Sequence, residues 1–139
     1  MTDLVQFLRD RLAEDERIAR AACHARVAPS PWRGESWDDA VLDGDGVVDA
    51  KGDGVALVKG ELIRAHIIEH DPARVLRDID AKRRILDEIV PAMDGMDDRI
   101  DSEWGVGPMD PSEYESVGLL RLLALSYVDH ADYREEWRP

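Results

Sequence analysis

Apolar side chains near the start of the chain recur at Leu4, Leu8, Leu12, Ala19 and Ala22, with Phe7 and Ile18 beside them. That three-to-four residue spacing marks one face of a helix. Thr2 is a good N-cap and Asp3 suits the positive end of the helix dipole, so the pattern predicts a helix over 2–25. Pro29 and Pro31 end it. From 32 to 58 short apolar runs (Val41-Leu42, Val47-Val48, Val55 to Val58) alternate with Asp43-Gly44, Asp45-Gly46 and Asp53-Gly54. Asp-Gly supplies the positive φ of tight hairpins, which predicts a small antiparallel β-meander over 32–58.

Helical spacing returns at Leu62, Ile63 and Ile67, predicting a helix over 61–70 that stops at Asp71-Pro72. Asp as N-cap followed by Pro is a strong start signal, and Val75, Ile79, Leu86, Ile89 and Val90 extend a second helix over 72–90. Its other faces carry Arg74/Asp78, Asp80/Arg84 and Arg84/Glu88, each four apart. Pro91, Gly95, Gly105, Gly107, Pro108 and Pro111 make 91–113 read as a long loop. The stretch 114–128 is apolar on nearly every side (Val117, Leu119, Leu120, Leu122, Leu123, Leu125), as in a central helix or one shared with a second copy. Asp129 then introduces a short helix over 130–137. The resulting expectation is an α+β fold in a single domain, 1–139: N-terminal helix, β-meander, helical C-terminal half.

Composition narrows the function. In 139 residues there are 18 Lys+Arg against 31 Asp+Glu, a net charge of −13. Such a field repels phosphate backbones and anionic membranes, which excludes direct nucleic-acid backbone binding by a general basic surface. The lone cysteine, Cys23, forms no internal disulfide, no 18-residue apolar run exists, and Met1-Thr2-Asp3 lacks the basic flank of a signal peptide. A cytoplasmic protein without a membrane span is expected.

His66 and His70 lie four apart, the spacing that grips one metal ion, and on the predicted wheel they share a face with Leu62, Ile63 and Ile67. His130 is the natural third ligand, with His24 the other histidine. The bland alternative is a pair of partly buried rings bonded to carboxylates or carbonyls, and it is favoured because two-His spacings arise often by chance. His66 to His70 also fits the H-x-x-E-H pattern of inverted zinc peptidases, but the helix stops at Asp71-Pro72 and the chain is far too short for that fold. Asp43, Asp45, Asp49 and Asp53 fail the EF-hand register at Val48 and Gly54, so turn roles explain them better. With no phosphate loop and no nucleophile elbow, nucleophilic catalysis has no support. Lys82 and Arg83 fall inside the apolar stripe of 72–90, either as snorkelling stems or as a pocket for an anionic ligand.

Residues 66–84 (HIIEHDPARVLRDIDAKRR), 120–139 (LRLLALSYVDHADYREEWRP) and the N-terminal DLVQFLRDRLAEDERIAR resemble a family of small uncharacterised proteins from actinobacteria and their phages. The run from His70 to Arg74 is its most specific part. The resemblance implies a first helix, a Pro-Trp lead into a small sheet (Pro31-Trp32 here), a His-rich helix corner and a Tyr-x-Asp-His ending, matched by Tyr127, Asp129 and His130. It thus retains His66, His70 and His130. Some relatives carry paired cysteines in the stretch matching 91–113, where this chain has none. A fainter similarity to accessory proteins of phage early regions implies a mobile-element origin.

The expectation is a non-enzymatic interaction or accessory protein that binds a protein partner, without a catalytic residue or cofactor, and homodimeric through 114–128. Two alternatives stand beside it: a metal-binding domain, possibly a zinc-dependent hydrolase, using His66, His70 and His130, and an acidic mimic of nucleic acid.

Overall fold

The computed structural model describes residues 2–22, 28, 31–38, 43–104 and 110–139. Its elements run α1 (Thr2–Ala22), β1 (Arg33–Asp38), β2 (Asp43–Val48), β3 (Gly54–Leu57), α2 (Glu61–Glu69), α3 (Pro72–Arg84), α4 (Val90–Trp104) and α5 (Glu115–Ala124). The expected α+β fold is observed. Two compact units form, one from Met1–Glu14 with Asp80–Pro139 and one from Asp15–Ile79.

In the unit of residues 15–79, the three strands pair antiparallel in the order β1-β2-β3. Asp43-Gly44 and Asp45-Gly46 are not turns. They lie inside β2, opposite Asp38 to Glu35, and Asp45 accepts from Ser36 Oγ at 2.6 Å and pairs with Arg64 at 3.2 Å. Gly34 makes that pairing feasible, since a Cβ there would stand 3.1 Å from Arg64 Nε. Val41-Leu42 lies outside the described residues. The β2–β3 turn is instead Asp49 to Asp53, a three-residue loop in which Gly52 supplies a φ of 89°. Asp49 organises it. Its carboxylate is wholly buried and accepts main-chain N–H groups from Ala28 (2.6 Å), Lys51 (2.8 Å) and Asp53 (2.9 Å). The Ala28 bond is the leading reason its pKa lies below the ordinary aspartate range.

The corner between α2 and α3 follows the sequence signal. Buried Asp71 accepts the Arg74 N–H at 2.8 Å through its side chain and the Val75 N–H at 3.1 Å through its carbonyl. Arg74 reaches back to the Glu69 carbonyl at 2.8 Å, satisfying an end group of α2.

In the other unit the core is built from Leu4, Phe7, Leu8 and Leu12 of α1, Leu86, Val90, Val117, Leu120, Ala124 and Trp137. Three expectations need correction here. The stretch 91–113 is not a loop throughout, because α4 covers Val90–Trp104. A π-helical turn at Ile85–Ile89, with the Val90 N–H bonded to the Ile85 carbonyl, directly precedes Pro91. This wider turn relieves the clash between a helical proline and the carbonyl four residues back. The stretch 114–128 is not buried all round: α5 buries Ser116, Val117, Leu120 and Ala124 and leaves Leu122 exposed, and Leu125, in the 3₁₀ turn Leu125–Tyr127, is exposed too. The stretch 130–137 is not a helix but successive i→i−3 turns ending in a 3₁₀ turn at Glu135–Trp137. Eight residues are too few to sustain a helix on propensity, and the extended Arg134 (φ −102°, ψ 134°) breaks the run.

Asp71→Ala should cost about 1 kcal/mol in urea denaturation, the usual worth of a helix N-cap. Asp49 should give a distinct pH signature. Its folded pKa is depressed, so its stabilisation is complete above the unfolded value of about 4 and is lost as pH falls through the lower folded value. Denaturation midpoints should therefore show wild type well above Asp49→Asn at pH 6, with the gap closing below about pH 4.

Candidate functional site

The chain has one phenylalanine, and four rings from the C-terminal tail surround it. Phe7 meets Trp137 at 4.9 Å between centroids, His130 at 5.9 Å, Tyr127 at 6.2 Å and Tyr133 at 6.3 Å, mostly edge to face. Tyr133 and Trp137 meet at 5.9 Å. The α1 face places Phe7 one turn before Arg11, and the i→i−3 turns of the tail bring residues 127, 130, 133 and 137 to the same side.

Beside this cluster opens a groove of about 550 Å³ whose floor is Phe7, Tyr133 and Trp137 and whose rim carries Asp3, Gln6, Asp10, Arg11, Asp132 and Arg134. The rim is largely cross-braced. Arg134 donates to Asp3 at 3.0 Å and stacks over Trp137 at 5.2 Å, and Gln6 donates to Asp10 at 2.8 Å. Arg11 donates to Glu14 at 2.9 Å and lies against His130 Nε2, with its guanidinium 5.7 Å from the Phe7 centroid. Two buried polar atoms here, Arg11 Nε and Tyr133 Oη, have no hydrogen-bond partner. A second hollow of about 430 Å³, lined by Leu4, Asp110, Ser112, Val117, Arg121 and Glu136, shares Trp137 as a wall. In it the Asp110 carboxylate accepts the Ser112 N–H at 2.9 Å, the main reason its pKa is lowered.

The histidines are placed differently from one another. His66 and His70 are exposed on α2 and its C-terminus, not on a buried face, since α2 buries none of its residues and Leu62 and Ile63 are exposed. Their rings lie 4.3 Å apart, and His70 Nδ1 is 2.8 Å from the His66 carbonyl. Glu69 is held by Arg74. His130 belongs to the other unit, where Nδ1 lies 3.1 Å from the Asp132 N–H and Nε2 lies against Arg11; the ring can accept a hydrogen bond at one of these nitrogens only. Among the described residues no three His, Cys, Asp or Glu side chains converge as ligands to one metal ion. Cys23 and His24 lie outside the described residues.

Lys82 and Arg83 each have a contact within the chain. The Lys82 ammonium sits 5.9 Å from the Tyr127 centroid, a cation over a π face, and Arg83 is half-buried and engaged within the chain. The groove residues Phe7, Arg11, Tyr133 and Trp137 were invisible as a site in sequence. The available hint was aromatic residues at 127, 133 and 137, which pattern alone assigns to a helix.

A two-histidine pair grips metal weakly. Chelator treatment of purified protein should leave the thermal midpoint unchanged, and elemental analysis should find less than one zinc per chain. A fall in midpoint on chelation would restore the metal-binding alternative.

No curated protein and no solved structure matches the chain. The model of the family described as "Family of unknown function (DUF6221)" matches residues 1–139, and the protein belongs to that family.

Proposed function

We propose that this is a non-enzymatic interaction protein, an accessory factor of phage or actinobacterial mobile-element type acting in the cytoplasm, and that its groove receives a side chain or short segment of a protein partner. The observation carrying this reading is the aromatic floor of Phe7, Tyr133 and Trp137 under a rim whose charges are mostly paired to each other. The groove lining is mixed, with aromatic side chains among charged and polar ones, and aromatic and arginine side chains dominate binding energies at interfaces. The rim favours binding over chemistry, because Arg11, His130, Arg134 and Asp3 are committed to structural bonds. No helix among the described residues is long and apolar enough to cross a membrane, which suits a partner met in solution.

The acidic-mimic alternative requires free carboxylates along one surface. Here Asp3, Glu14, Asp45, Glu69 and Asp87 each pair with an arginine. Homodimerisation would use the exposed Leu122 and Leu125.

Ala131 is exposed on the groove wall, so Ala131→Trp should fill the groove while leaving the fold intact by circular dichroism. A partner recovered with wild type, once purified, should bind Ala131→Trp at least tenfold more weakly by calorimetry, about 1.4 kcal/mol. Equal binding by both proteins would remove the groove as the recognition site.

A further inference from the structure

Two of the three rings that floor the groove hold a cation of the chain's own. The Arg134 guanidinium lies 5.2 Å from the Trp137 centroid and donates to Asp3 at 3.0 Å. The Arg11 guanidinium lies 5.7 Å from the Phe7 centroid and donates to Glu14 at 2.9 Å. Each is a planar cation set over a ring with a carboxylate at its head, the combination that suits arginine better than lysine. The third ring, Tyr133, has no cation over it among the described residues.

Negative charge is left over beside that third ring. Arg134 is matched by Asp3 and Arg11 by Glu14, so these four side chains cancel. Asp10 and Asp132 also line the groove, both are exposed, and neither pairs with Lys or Arg among the described residues. Asp10 accepts from the neutral Gln6 amide at 2.8 Å, and the Asp132 carboxylate stands 3.8 Å from His130 Nδ1, a charge pair only when that ring is protonated. The contacts also order the two walls. Arg134 meets Asp3 near the start of α1, and His130 lies against Arg11 roughly two turns later, so the tail runs back along the helix. Asp10, beside Arg11, and Asp132, two residues after His130, therefore fall toward the same end of the groove, and Tyr133 follows next in the tail.

We propose that the groove takes an arginine side chain of a protein partner, its guanidinium answered by Asp10 and Asp132 and its stem lying against Tyr133. An acidic side chain would meet like charge there, and an aliphatic one would leave both carboxylates uncompensated. The proposal rests on the groove reading above and names the chemistry that the groove recognises.

The test is a nuclear magnetic resonance titration of the isotope-labelled full chain with the peptide acetyl-Ala-Arg-Ala-amide, against the same peptide carrying citrulline, the neutral isostere, in place of its arginine. The arginine peptide should shift the amides of Asp132, Tyr133 and Trp137 saturably. The citrulline peptide should bind about fivefold more weakly, since charge-assisted hydrogen bonds exceed neutral ones. The double variant Asp10→Asn/Asp132→Asn keeps the shape of two exposed side chains; it should lose about fivefold for the arginine peptide and nothing for the citrulline one, with its circular dichroism unchanged. Equal binding of the two peptides, absence of a saturable shift, or undiminished binding of the arginine peptide by the double variant would overturn the proposal. Ala131→Trp separates the two readings. If both peptides bind wild type equally and Ala131→Trp blocks both, the groove stands and the guanidinium falls; if the arginine peptide binds Ala131→Trp as it binds wild type, the groove falls with it.

Discussion

The ring of Phe7 holds the two ends of the chain together. In the compact unit of residues 1–14 and 80–139, a side chain one turn into α1 meets four rings at positions 127 to 137, beside the shared aliphatic core. Closing so long a loop costs only logarithmically more than closing a short one, while each aromatic pair contributes about 0.5–1.5 kcal/mol beyond its buried area. Several pairs at one point therefore hold a tail that makes no regular helix. The groove is a by-product of this closure, since rings meeting edge to face leave a hollow that their own side chains do not fill.

A chain with 31 acidic and 18 basic side chains has too few cations to pair every carboxylate. The structure answers with main-chain N–H groups, at buried Asp49 and Asp71 and at exposed Asp110. Asp49 takes three, Asp71 takes the third N–H of its helix, and Asp110 takes that of Ser112. An N–H group supplies hydrogen bonds without a long side chain to immobilise, so a buried carboxylate held this way fixes the backbone as well as itself. Asp49 thereby shapes the β2–β3 loop and tethers Ala28 ahead of the sheet.

What was legible in the sequence was local. The apolar face of α1 and the Asp71-Pro72 corner rest on signals within a few residues, and each is observed; the small antiparallel meander is observed as well, with Asp43 to Gly46 inside a strand rather than at its turns. What was not legible depends on partners distant in sequence. Asp43-Gly44 and Asp45-Gly46 read as turns because nothing nearby announces that Ser36 and Arg64 will bond Asp45 within a strand. That Lys82 lies over the Tyr127 ring was not legible either, because Tyr127 is 45 residues away. His66, His70 and His130 looked equivalent by residue type; the first two are exposed on one unit and the third is engaged by Arg11 in the other.

Pro91 hid α4 from pattern reading, and the bond from buried Ser116 to Asp94 explains why the helix keeps its orientation. Turning it over would bury Ile89, Met96 and Ile100, each about half exposed, for a gain of about 2–4 kcal/mol. The same turn would expose Val90 at about 1.5–2 kcal/mol and leave the Ser116 hydroxyl buried without its acceptor at about 1–3 kcal/mol. The opposing sums are nearly equal. The orientation is therefore held by the buried Ser116 hydroxyl and by Val90 against a comparable apolar area, and it leaves Ile89, Met96 and Ile100 in solvent.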